Sequence, residues 1–347
     1  MSPLLVVILE TVIKGLLVII TLMTCFAYMT WLERKLLAKF QLRPGPNRAG
    51  PFGLLFPLAD GIKLFLKEDF VPAGADKVTF FIAPIISICT ALFAFAVIPL
   101  GPEITIFGYT LKPIIANPNV GILFVLAIAS LGVYGLVLAG WSSNSKYSLI
   151  GSLRSSAQLI SYELSIGLSL ISIILIVGNL QITEIIKWQA GNTWLVLLQP
   201  VAFGIYFLAA LAETNRAPFD LPEAEHELTA GYQTEYGGMR FALFYAAEFI
   251  NMITVSAIAT TLFLGGWLGP FVSPDSVKDN SWLALLGFGY FAFKIFILIF
   301  VFIWIRATLP RVRYDQLMNL GWKYLVPLSL VWLMATAVVV AIIGAPK

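Results

Sequence analysis

The sequence predicts an all-α polytopic membrane protein, and three observations support that fold class. Of its 347 residues, 59% are hydrophobic and only 12% are charged, whereas a soluble protein carries about a quarter charged residues. Apolar runs of about 20 residues, the length that crosses a bilayer as a helix, recur along the whole chain. Gly and Pro separate these runs, as at Gly101-Pro102, Asn117-Pro118 and Gly269-Pro270, and mark the joints between helices.

Eight transmembrane helices are predicted, in a single membrane domain that covers residues 1–347. The first run lacks the basic leader and the A-x-A-like cleavage site of a secretory signal, so we expect it to be retained as a helix. No inverted repeat of the kind found in many transporters is evident. The predicted spans are about 4–31, 78–100, 119–140, 157–178, 194–213, 240–267, 282–305 and 323–345.

The basic residues predict the orientation of these spans. Most of the 22 lie in the connections after spans one, three, five and seven, and the positive-inside rule places those connections in the cytoplasm, or in the matrix of a mitochondrion. Both termini are then expected outside. The inner basic residues are Arg34, Lys35, Lys39, Arg43, Arg48, Lys63, Lys67, Lys77, Lys146, Arg154, Arg216, Arg240, Arg306, Arg311, Arg313 and Lys323, and the outer ones are Lys112, Lys187, Lys278 and Lys347.

The first inner connection, from Trp31 to Lys77, contains a rigid turn and an additional predicted helix. Residues 43–48 read RPGPNR, a proline-rich turn with an arginine at each end. Residues 52–67 are too short and too charged to span, but their apolar spacing predicts an amphipathic helix along the interface. Such a helix is either a simple membrane-surface element or the lip of a lipid-side opening for an apolar substrate. Asp60 lies close to its apolar face, where an acid is costly.

An acid-rich segment, residues 211–251, lies between two long apolar runs, and its central part, 214–239, is the predicted acidic inner loop. Carboxylates near hydrocarbon pair, contact water or take up protons, and each charge disfavours the next. Because two of the acids fall inside the apolar runs, a proton-exchanging chain of carboxylates is favoured over an acidic surface loop. The acids are Glu213, Asp220, Glu223, Glu225, Glu227, Glu235 and Glu248, opposed by Arg216 and Arg240.

Other ionisable residues also lie within the apolar runs or beside the acids. Glu163 in the fourth predicted span and Lys294 in the seventh are functional candidates by position. Lys14 follows Glu10 by one helical turn, so the two are expected to pair or to extend to the outer interface. His226 is either a proton relay between its glutamate neighbours or a loop residue with a satisfied hydrogen bond.

The chain cannot build a redox centre by itself. Its two cysteines, Cys25 and Cys89, lie in different apolar runs, and His226 is its one histidine. An iron–sulfur cluster usually needs four thiolates, and a bis-histidine haem needs two imidazoles. Any redox centre is therefore expected in a partner, and no metal or flavin is expected on this chain.

Five segments carry a resemblance that runs almost end to end. They are ERKLLAKFQLRPGPNRAGP with ADGIKLFLKED, SYELSIGLSL, AETNRAPFDLPEAEHELTAGYQTEY, GGMRFALFYAAEF and RATLPRVRYDQLM. In this order they are similar to the H-type (mitochondrial subunit 1) membrane subunit of proton-pumping NADH:quinone oxidoreductase, respiratory complex I. Related membrane-bound hydrogenases and plastidial complexes carry similar subunits, so the electron donor stays open.

The resemblance implies a subunit that joins the hydrophilic redox arm to the membrane arm and forms the membrane-side part of a quinone-binding chamber, without a complete active site of its own. Quinone would be the substrate, while FMN and iron–sulfur clusters would belong to the hydrophilic partner subunits. Small and antiporter-like membrane subunits are the other implied partners, and no nucleic acid is expected. The membrane would be a bacterial cytoplasmic (inner) membrane, or the mitochondrial inner membrane.

The resemblance also implies residue roles. Quinone reduction would change the charge or shape of the acidic loop, and the carboxylates would pass that perturbation into the membrane. Quinone binding is implied for Glu33, Arg34, Arg43, Asp60 and Arg216. Proton coupling is implied for Glu163, Glu213, Asp220, Glu223, Glu225, Glu227, Glu235 and Glu248.

Two positions depart from the family pattern, and two other functions stay open. Phe56 stands where glutamine is common, and His226 stands where many members have serine. One alternative is a self-standing proton-coupled transporter, against which the missing repeat and the long basic first connection argue. The other is a structural anchor for the redox arm, which would not need carboxylates at Glu163, Glu213 and Glu248.

Overall fold

The computed structural model describes residues 3–106, 109–220, 229–274, 276 and 281–344, and helices dominate them. In chain order the helices and strands are α1 (Pro3–Phe40), α2 (Phe56–Leu66), α3 (Lys77–Ala94), β1 (Ile104–Ile106), β2 (Tyr109–Leu111), α4 (Gly121–Ser142), α5 (Lys146–Val177), α6 (Ile182–Gly191), α7 (Leu195–Leu198), α8 (Pro200–Glu213), α9 (Gly238–Phe263), α10 (Ser281–Thr308), α11 (Tyr314–Asn319) and α12 (Val326–Ile343).

The prediction of a helical membrane protein is confirmed. Seven helical stretches of the described chain are long and apolar enough to cross a bilayer. They comprise α1, α3, α4, α5, α9 and α10, together with the continuous run formed by α11, a π-helical turn (Leu320–Leu325) and α12. The all-α description needs one addition, because β1 and β2 form a small antiparallel hairpin after α3.

The predicted span 194–213 is a broken helix. The four residues of α7 end at Gln199, where the backbone leaves the helical region, and α8 begins with Pro200 at its first position. Proline is well suited to start a helix because its missing N–H needs no partner there. The 14 residues of α8 rise about 21 Å, less than the ~30 Å hydrocarbon layer. The side chain of Gln199 covers the break and accepts a hydrogen bond from the indole of Trp332.

Two helices extend well beyond their predicted ends. The first was predicted to end near residue 31, but α1 continues to Phe40 through LERKLLAKF, a run of good helix formers. The fourth was predicted from residue 157, but α5 begins at Lys146, directly after Asn144 with its positive φ. Hydropathy reports the part of a helix inside hydrocarbon, whereas the helix itself ends only where the backbone is broken.

Two hydrophobic cores hold the helices together. α9 is central, because nearly all its residues from Phe244 to Phe263 are buried, and it packs on α1, α3, α8 and α10. α5 packs on α4, α8 and α12. A separate second core, built around Phe80, Leu136, Leu159, Tyr232, Tyr236 and Phe244, lies between α3, α4, α5 and the start of α9.

Candidate functional site

A buried cluster of charges joins three distant parts of the chain. Glu33 on α1 is 4% exposed, and its carboxylate accepts from Nη1 of Arg216 at 3.5 Å and from Nη1 of Arg306 near the end of α10. The guanidinium carbon of Arg216 also lies 4.0 Å from the ring centroid of Phe249. Two cations therefore share one carboxylate in a place where an unpaired charge is strongly unfavourable.

Arg216 has two N–H donor atoms without a partner among the described residues. Within the described part of the chain, its Nε and Nη2 atoms are buried and have no hydrogen-bond partner. Nearly all buried polar groups in folded proteins are hydrogen-bonded to protein or to water. Arg216 can therefore donate hydrogen bonds to a further oxygen atom.

Helix α2, which lies within the segment predicted to be interfacial, is held to the end of α1 by charge. Asp60 lies with Oδ2 3.5 Å from Nη2 of Arg34, and its Oδ1 accepts from Nζ of Lys63 at 2.6 Å. The guanidinium of Arg34 stacks on Phe56 at 4.5 Å from its ring centroid. The aromatic ring thus supplies a cation–π contact to Arg34, and the two cations compensate the acid near the apolar face.

Arg43 does not join this group through any contact that the structure describes. Its side chain is exposed, and its Nε donates to Oε1 of Gln41 at 2.8 Å. The neighbouring part of the turn is fixed by Lys35, whose Nζ donates to the carbonyls of Pro46 and Phe52. Of the five predicted quinone-binding residues, Glu33 therefore contacts Arg216, Arg34 contacts Asp60, and Arg43 stands apart.

The start of the acidic loop, residues 214–220, is held by contacts on two sides. Asp220 is buried and accepts from Nη2 of Arg311 at 2.8 Å. The amide of Gln158 on α5 donates to the carbonyls of Ala212 at 2.8 Å and Phe219 at 2.9 Å. The chain between α8 and residue 220 is therefore fixed against both α5 and the segment that follows α10.

Three of the predicted coupling carboxylates line one cavity of about 90 Å³: Glu163 from α5, Glu213 from the end of α8 and Glu248 from α9. A cavity needs only about 10–15 Å³ to hold one water, so this one has room for several. Its other polar lining residues are Ser87, Thr90, Tyr206, Thr214, Asn215, Tyr232, Asn251 and Thr254. Carboxylates separated by water-sized space can exchange protons through that water.

Two of the three cavity carboxylates, Glu163 and Glu248, each have a hydroxyl partner. The hydroxyl of Ser130 on α4 contacts Glu163 and also lies 3.0 Å from the carbonyl of Leu126. The phenol of Tyr232 donates to Oε1 of Glu248 at 2.9 Å. Gln233 donates through Nε2 to the same carboxylate oxygen at 3.2 Å, so Glu248 is held by a small hydrogen-bond network.

Of the remaining predicted coupling residues, the structure describes Asp220 and Glu235, and neither lines this cavity. Glu235 is half-buried in the turn before α9 and is not among the cavity-lining residues that the structure describes. The other four candidates lie outside the described residues; they are Glu223, Glu225, His226 and Glu227.

Among the described residues, Lys294 contacts backbone carbonyls and an aromatic ring rather than an acid. Its Nζ donates to the carbonyls of Leu264, Gly266 and Leu268 at 2.6, 3.0 and 2.6 Å, and it lies 4.5 Å from the ring centroid of Trp194. The ammonium group thereby satisfies three backbone carbonyls of the segment that follows α9.

The predicted ion pair in the first span is confirmed. Nζ of Lys14 lies 2.7 Å from Oε1 of Glu10. The two residues are separated by one helical turn, the spacing at which opposite charges on a helix meet. The pair therefore accounts for both charges without a functional role.

Sequence reasoning missed the neutral partners of the carboxylates and undervalued two arginines. Ser130, Tyr232 and Gln233 carry no charge, so neither hydropathy nor charge counting marks them. Arg306 and Arg311 enter the sequence prediction only through the orientation of the spans and the resemblance of their segment, although their position after an apolar run also indicates a contact with an acid. The structure places both against predicted acids, Glu33 and Asp220.

Within the described ranges, no group of three or more His, Cys, Asp or Glu side chains is placed to hold a metal ion. Cys25 and Cys89 are free thiols on α1 and α3.

Comparison with known proteins places the chain in a family. The family described as NADH dehydrogenase matches residues 13–337. The chain is 55% identical to the H subunit of the NADH-quinone oxidoreductase of Protochlamydia amoebophila over 314 residues, which is 90% of this chain and 92% of that protein. It is 52% identical over 330 residues to subunit 8 of the enzyme of Thermus thermophilus, covering 95% and 87% of the two chains. It is 50% identical over 342 residues to the first of the H subunits of Geobacter sulfurreducens, covering 95% of each chain.

These matches extend over nearly the whole chain and over nearly the whole length of each relative. They agree with the resemblance carried by the five sequence segments and with the helical membrane fold. The chain therefore belongs to the NADH dehydrogenase family, as an H-type (mitochondrial subunit 1) membrane subunit of NADH:quinone oxidoreductase, respiratory complex I.

Proposed function

We propose that this subunit forms the membrane-side part of the quinone-binding chamber and couples quinone reduction to proton translocation through its buried carboxylates. The chamber side consists of the charge cluster around Glu33 and Arg216 together with α2 and Asp60. The coupling side consists of the cavity shared by Glu163, Glu213 and Glu248. Electrons reach the quinone from hydrophilic partner subunits that carry FMN and iron–sulfur clusters.

One observation carries the proposal: four consecutive residues connect the two sides. Glu213, Thr214 and Asn215 line the carboxylate cavity, and the next residue, Arg216, contacts Glu33 in the charge cluster. A change of charge near Arg216 therefore acts on a backbone that is continuous with the cavity wall. No long mechanical linkage is needed between the two.

Two buried donor atoms of Arg216, which have no partner in the part of the chain that the structure describes, support the chemical step on the chamber side. Reduction of a quinone adds electron density to its carbonyl oxygens, and a guanidinium with free N–H groups stabilises such oxygens. When negative charge develops close to Arg216, its attraction to Glu33 is weakened. The carboxylates beyond Glu213 then experience a different field and redistribute their protons.

The membrane topology belongs to the same proposal. α7 and α8 together would cross the bilayer as a broken helix, which brings the total to eight crossings. A break at membrane depth is tolerated where protein covers it, and Gln199 is 3% exposed. The membrane would be the bacterial cytoplasmic (inner) membrane, with small and antiporter-like subunits as neighbours.

The two alternatives are less consistent with these features. A self-standing transporter has no use for the charge cluster at Glu33, which lies at the inner end of α1 rather than along a central pathway. A structural anchor has no use for a polar cavity lined by three carboxylates in the membrane, because each buried acid destabilises the fold unless it is paired.

Replacement of Glu213 or Glu248 by Gln tests the proposal. Gln keeps the shape and hydrogen-bonding capacity but cannot titrate. We expect both variants to assemble, while quinone reduction and vesicle acidification fall together on the same membranes. Replacement by Asp, which still titrates, should retain more activity.

The control is electron transfer from NADH to an artificial acceptor that bypasses the quinone site, with subunit content checked by blotting. This activity should stay unchanged in all four variants. If the Gln variants assemble and pump at the wild-type rate and stoichiometry, the carboxylates are not the coupling element and the anchor function gains support.

A further inference from the structure

The end of the interfacial helix is joined to the start of α9 by a partly buried ion pair. Nε of Arg240, in the first turn of α9, lies 3.0 Å from Oδ2 of Asp69, which follows α2. The two backbones are also close, because a Cβ added to Gly238 would lie 3.3 Å from the carbonyl oxygen of Lys67. Gly238 has φ +51°, a conformation that side chains rarely adopt. This junction is therefore built for close contact.

Arg240 lies against aromatic rings at the base of α3. Its guanidinium carbon is 4.1 Å from the ring centroid of Phe81 and 5.2 Å from that of Phe80. Cation–π contacts of this kind strengthen when the cation is removed from water, and the side chain of Arg240 is 11% exposed. The ion pair and the rings together fix the guanidinium in one place.

A continuous column of rings leads from this point into the interior. Phe80 stacks on Tyr236 with centroids 4.1 Å apart and planes at 6°. Tyr236 meets Phe244 edge-on at 5.0 Å, and Phe244 meets Tyr232 edge-on at 5.4 Å. We refer to Phe80, Tyr236, Phe244 and Tyr232 as the aromatic column. All four belong to the second hydrophobic core rather than to the main one.

Polar contacts lock the middle of the column. The hydroxyl of Tyr236 lies 3.3 Å from Oγ of Ser142 and 3.4 Å from the carbonyl of Phe80. Burial raises the pKa of Tyr236 to about 12, so this phenol is protonated at neutral pH and can donate. The rings therefore cannot slide past one another without breaking these contacts.

The column ends at the carboxylate cavity. Phe244 and Tyr232 both line it, and the hydroxyl of Tyr232 donates to Glu248 at 2.9 Å. The backbone at Tyr232 is itself fixed, since Ser148 donates to its carbonyl at 3.2 Å. The position of Glu248 thus depends on a set of packed rings whose far end is Arg240.

We propose that Arg240 is a positioning residue for Glu248: paired with Asp69, it fixes the aromatic column and, through Tyr232, the orientation of that carboxylate in the cavity. The inference rests on the proposed coupling function of Glu248. It gives the interfacial helix its own connection to the cavity, separate from the connection through Glu213 and Arg216.

Double-mutant cycles on the assembled complex test this inference. The measurement is quinone-linked NADH oxidation in membrane vesicles, divided by electron transfer to the artificial acceptor. Arg240→Ala, Asp69→Ala and Tyr232→Phe should each lower this ratio by about threefold to tenfold, the size of effect typical of residues that lie between coupled sites. Tyr134→Phe is the matched control and should leave the ratio near wild type, because Tyr134 is an exposed residue of α4 outside the aromatic column.

The decisive result is the combination of Arg240→Ala with Tyr232→Phe. Residues that act through one shared group give non-additive effects, so the double variant should be no slower than Tyr232→Phe alone. If the two losses multiply, or if Arg240→Ala alone has no effect, the inference is overturned. Should Arg240→Ala fail to assemble, Asp69→Asn replaces it, since Asn keeps the shape and removes the charge.

Failure of this inference can be told apart from failure of the proposed function. If Glu248→Gln leaves the ratio at wild type, Glu248 has no coupling role and the proposed function fails. If Glu248→Gln lowers the ratio but the cycle is additive, the proposed function stands and only the positioning role of Arg240 is lost.

Discussion

Glu33 and Arg216 contact each other at 3.5 Å although 183 positions separate them along the chain. Arg306 contacts the same carboxylate from a third region. One acid therefore pairs with two guanidiniums and connects α1, the segment after α8 and the end of α10. This charge cluster therefore stabilises the packing of three segments and is also a candidate binding site.

The first prediction concerns the contribution of the Glu33 ion pairs to stability. Glu33→Gln would leave two guanidiniums close together without a counter-charge, and breaking a buried ion pair on one side costs about 3–5 kcal/mol. We expect a clear loss of thermal stability in the purified complex, or a loss of subunit content in the membrane. Arg34→Gln is the control, because the exposed pair with Asp60 should contribute about 1 kcal/mol or less. Equal stability of the two variants would contradict a stabilising role of the Glu33 ion pairs.

A second prediction follows from the single proton of Ser130. Its hydroxyl faces both the carbonyl of Leu126 and the carboxyl of Glu163. It can donate to an ionised Glu163, or accept from a protonated one while donating to Leu126, so it serves both states. Ser130→Ala should therefore lower quinone-linked turnover by about tenfold, because a hydrogen bond to a charged group contributes about 1.5–3 kcal/mol. Ser130→Thr keeps the hydroxyl and should retain activity.

Ser165 provides the matched control for Ser130. It lies on α5 near Glu163, and its hydroxyl is buried without a hydrogen-bond partner among the described residues. Removing an unsatisfied buried hydroxyl is neutral or stabilising. Ser165→Ala should therefore turn over at the wild-type rate. A loss equal to that of Ser130→Ala would mean that this region tolerates no substitution. The loss in Ser130→Ala could then not be assigned to its hydrogen bond with Glu163.

The third prediction separates stability from coupling. Lys294→Met should destabilise the protein by about 3 kcal/mol or more, because three carbonyls lose their donor and each unsatisfied buried acceptor costs about 1–3 kcal/mol. Thermal unfolding of the purified complex measures this loss. Turnover per assembled complex should not change. Lys187→Met, which breaks only an exposed pair with Glu184, should have little effect on either quantity.

A selective loss of turnover in Lys294→Met, at wild-type stability, would make this lysine a functional candidate again. Its position in the middle of an apolar helix made it such a candidate from sequence alone. The structure assigns its donors to Leu264, Gly266 and Leu268 instead.

A fourth prediction concerns access of the quinone along α2. Asp60→Asn removes the charge that holds both Arg34 and Lys63, so quinone reduction should fall more than electron transfer to the artificial acceptor. Arg43→Ala should have a smaller effect, because Arg43 is exposed and contacts Gln41. Equal losses in both assays, or none in either, would count against a role of α2 in quinone access.

Phe56 shows how a departure from the family pattern can be interpreted once its neighbours are known. By sequence, the loss of a glutamine at this position suggests a missing polar contact. In the structure its ring lies under Arg34, so a cation–π contact takes the place of a hydrogen bond. Phe56→Gln should therefore preserve turnover, provided that Asp60 is intact.

Charge and hydropathy predicted the helices and the acids that matter, but not how they meet. The acids Glu213 and Glu248 were identifiable because a carboxylate in an apolar run is costly and rare. The break at Gln199 was not identifiable, because its cover comes from Trp332, distant in sequence. Likewise the pairing of Asp220 with Arg311 depends on tertiary packing, which local patterns of polarity do not contain.

The last prediction is the orientation in the membrane, which rests on the distribution of basic residues. If the basic connections face the cytoplasm, Asn47→Cys beside Pro46 should react with an impermeant thiol reagent only after the membrane is opened. Lys112→Cys, in the exposed pair with Glu103 on the opposite side, should react in intact cells. Both variants need Cys25 and Cys89 replaced, since Cys25 is exposed on the surface of α1. Labelling of position 47 in intact cells would show the opposite orientation. The acidic loop, residues 214–239, would then lie outside, where it could not contact a cytoplasmic redox arm.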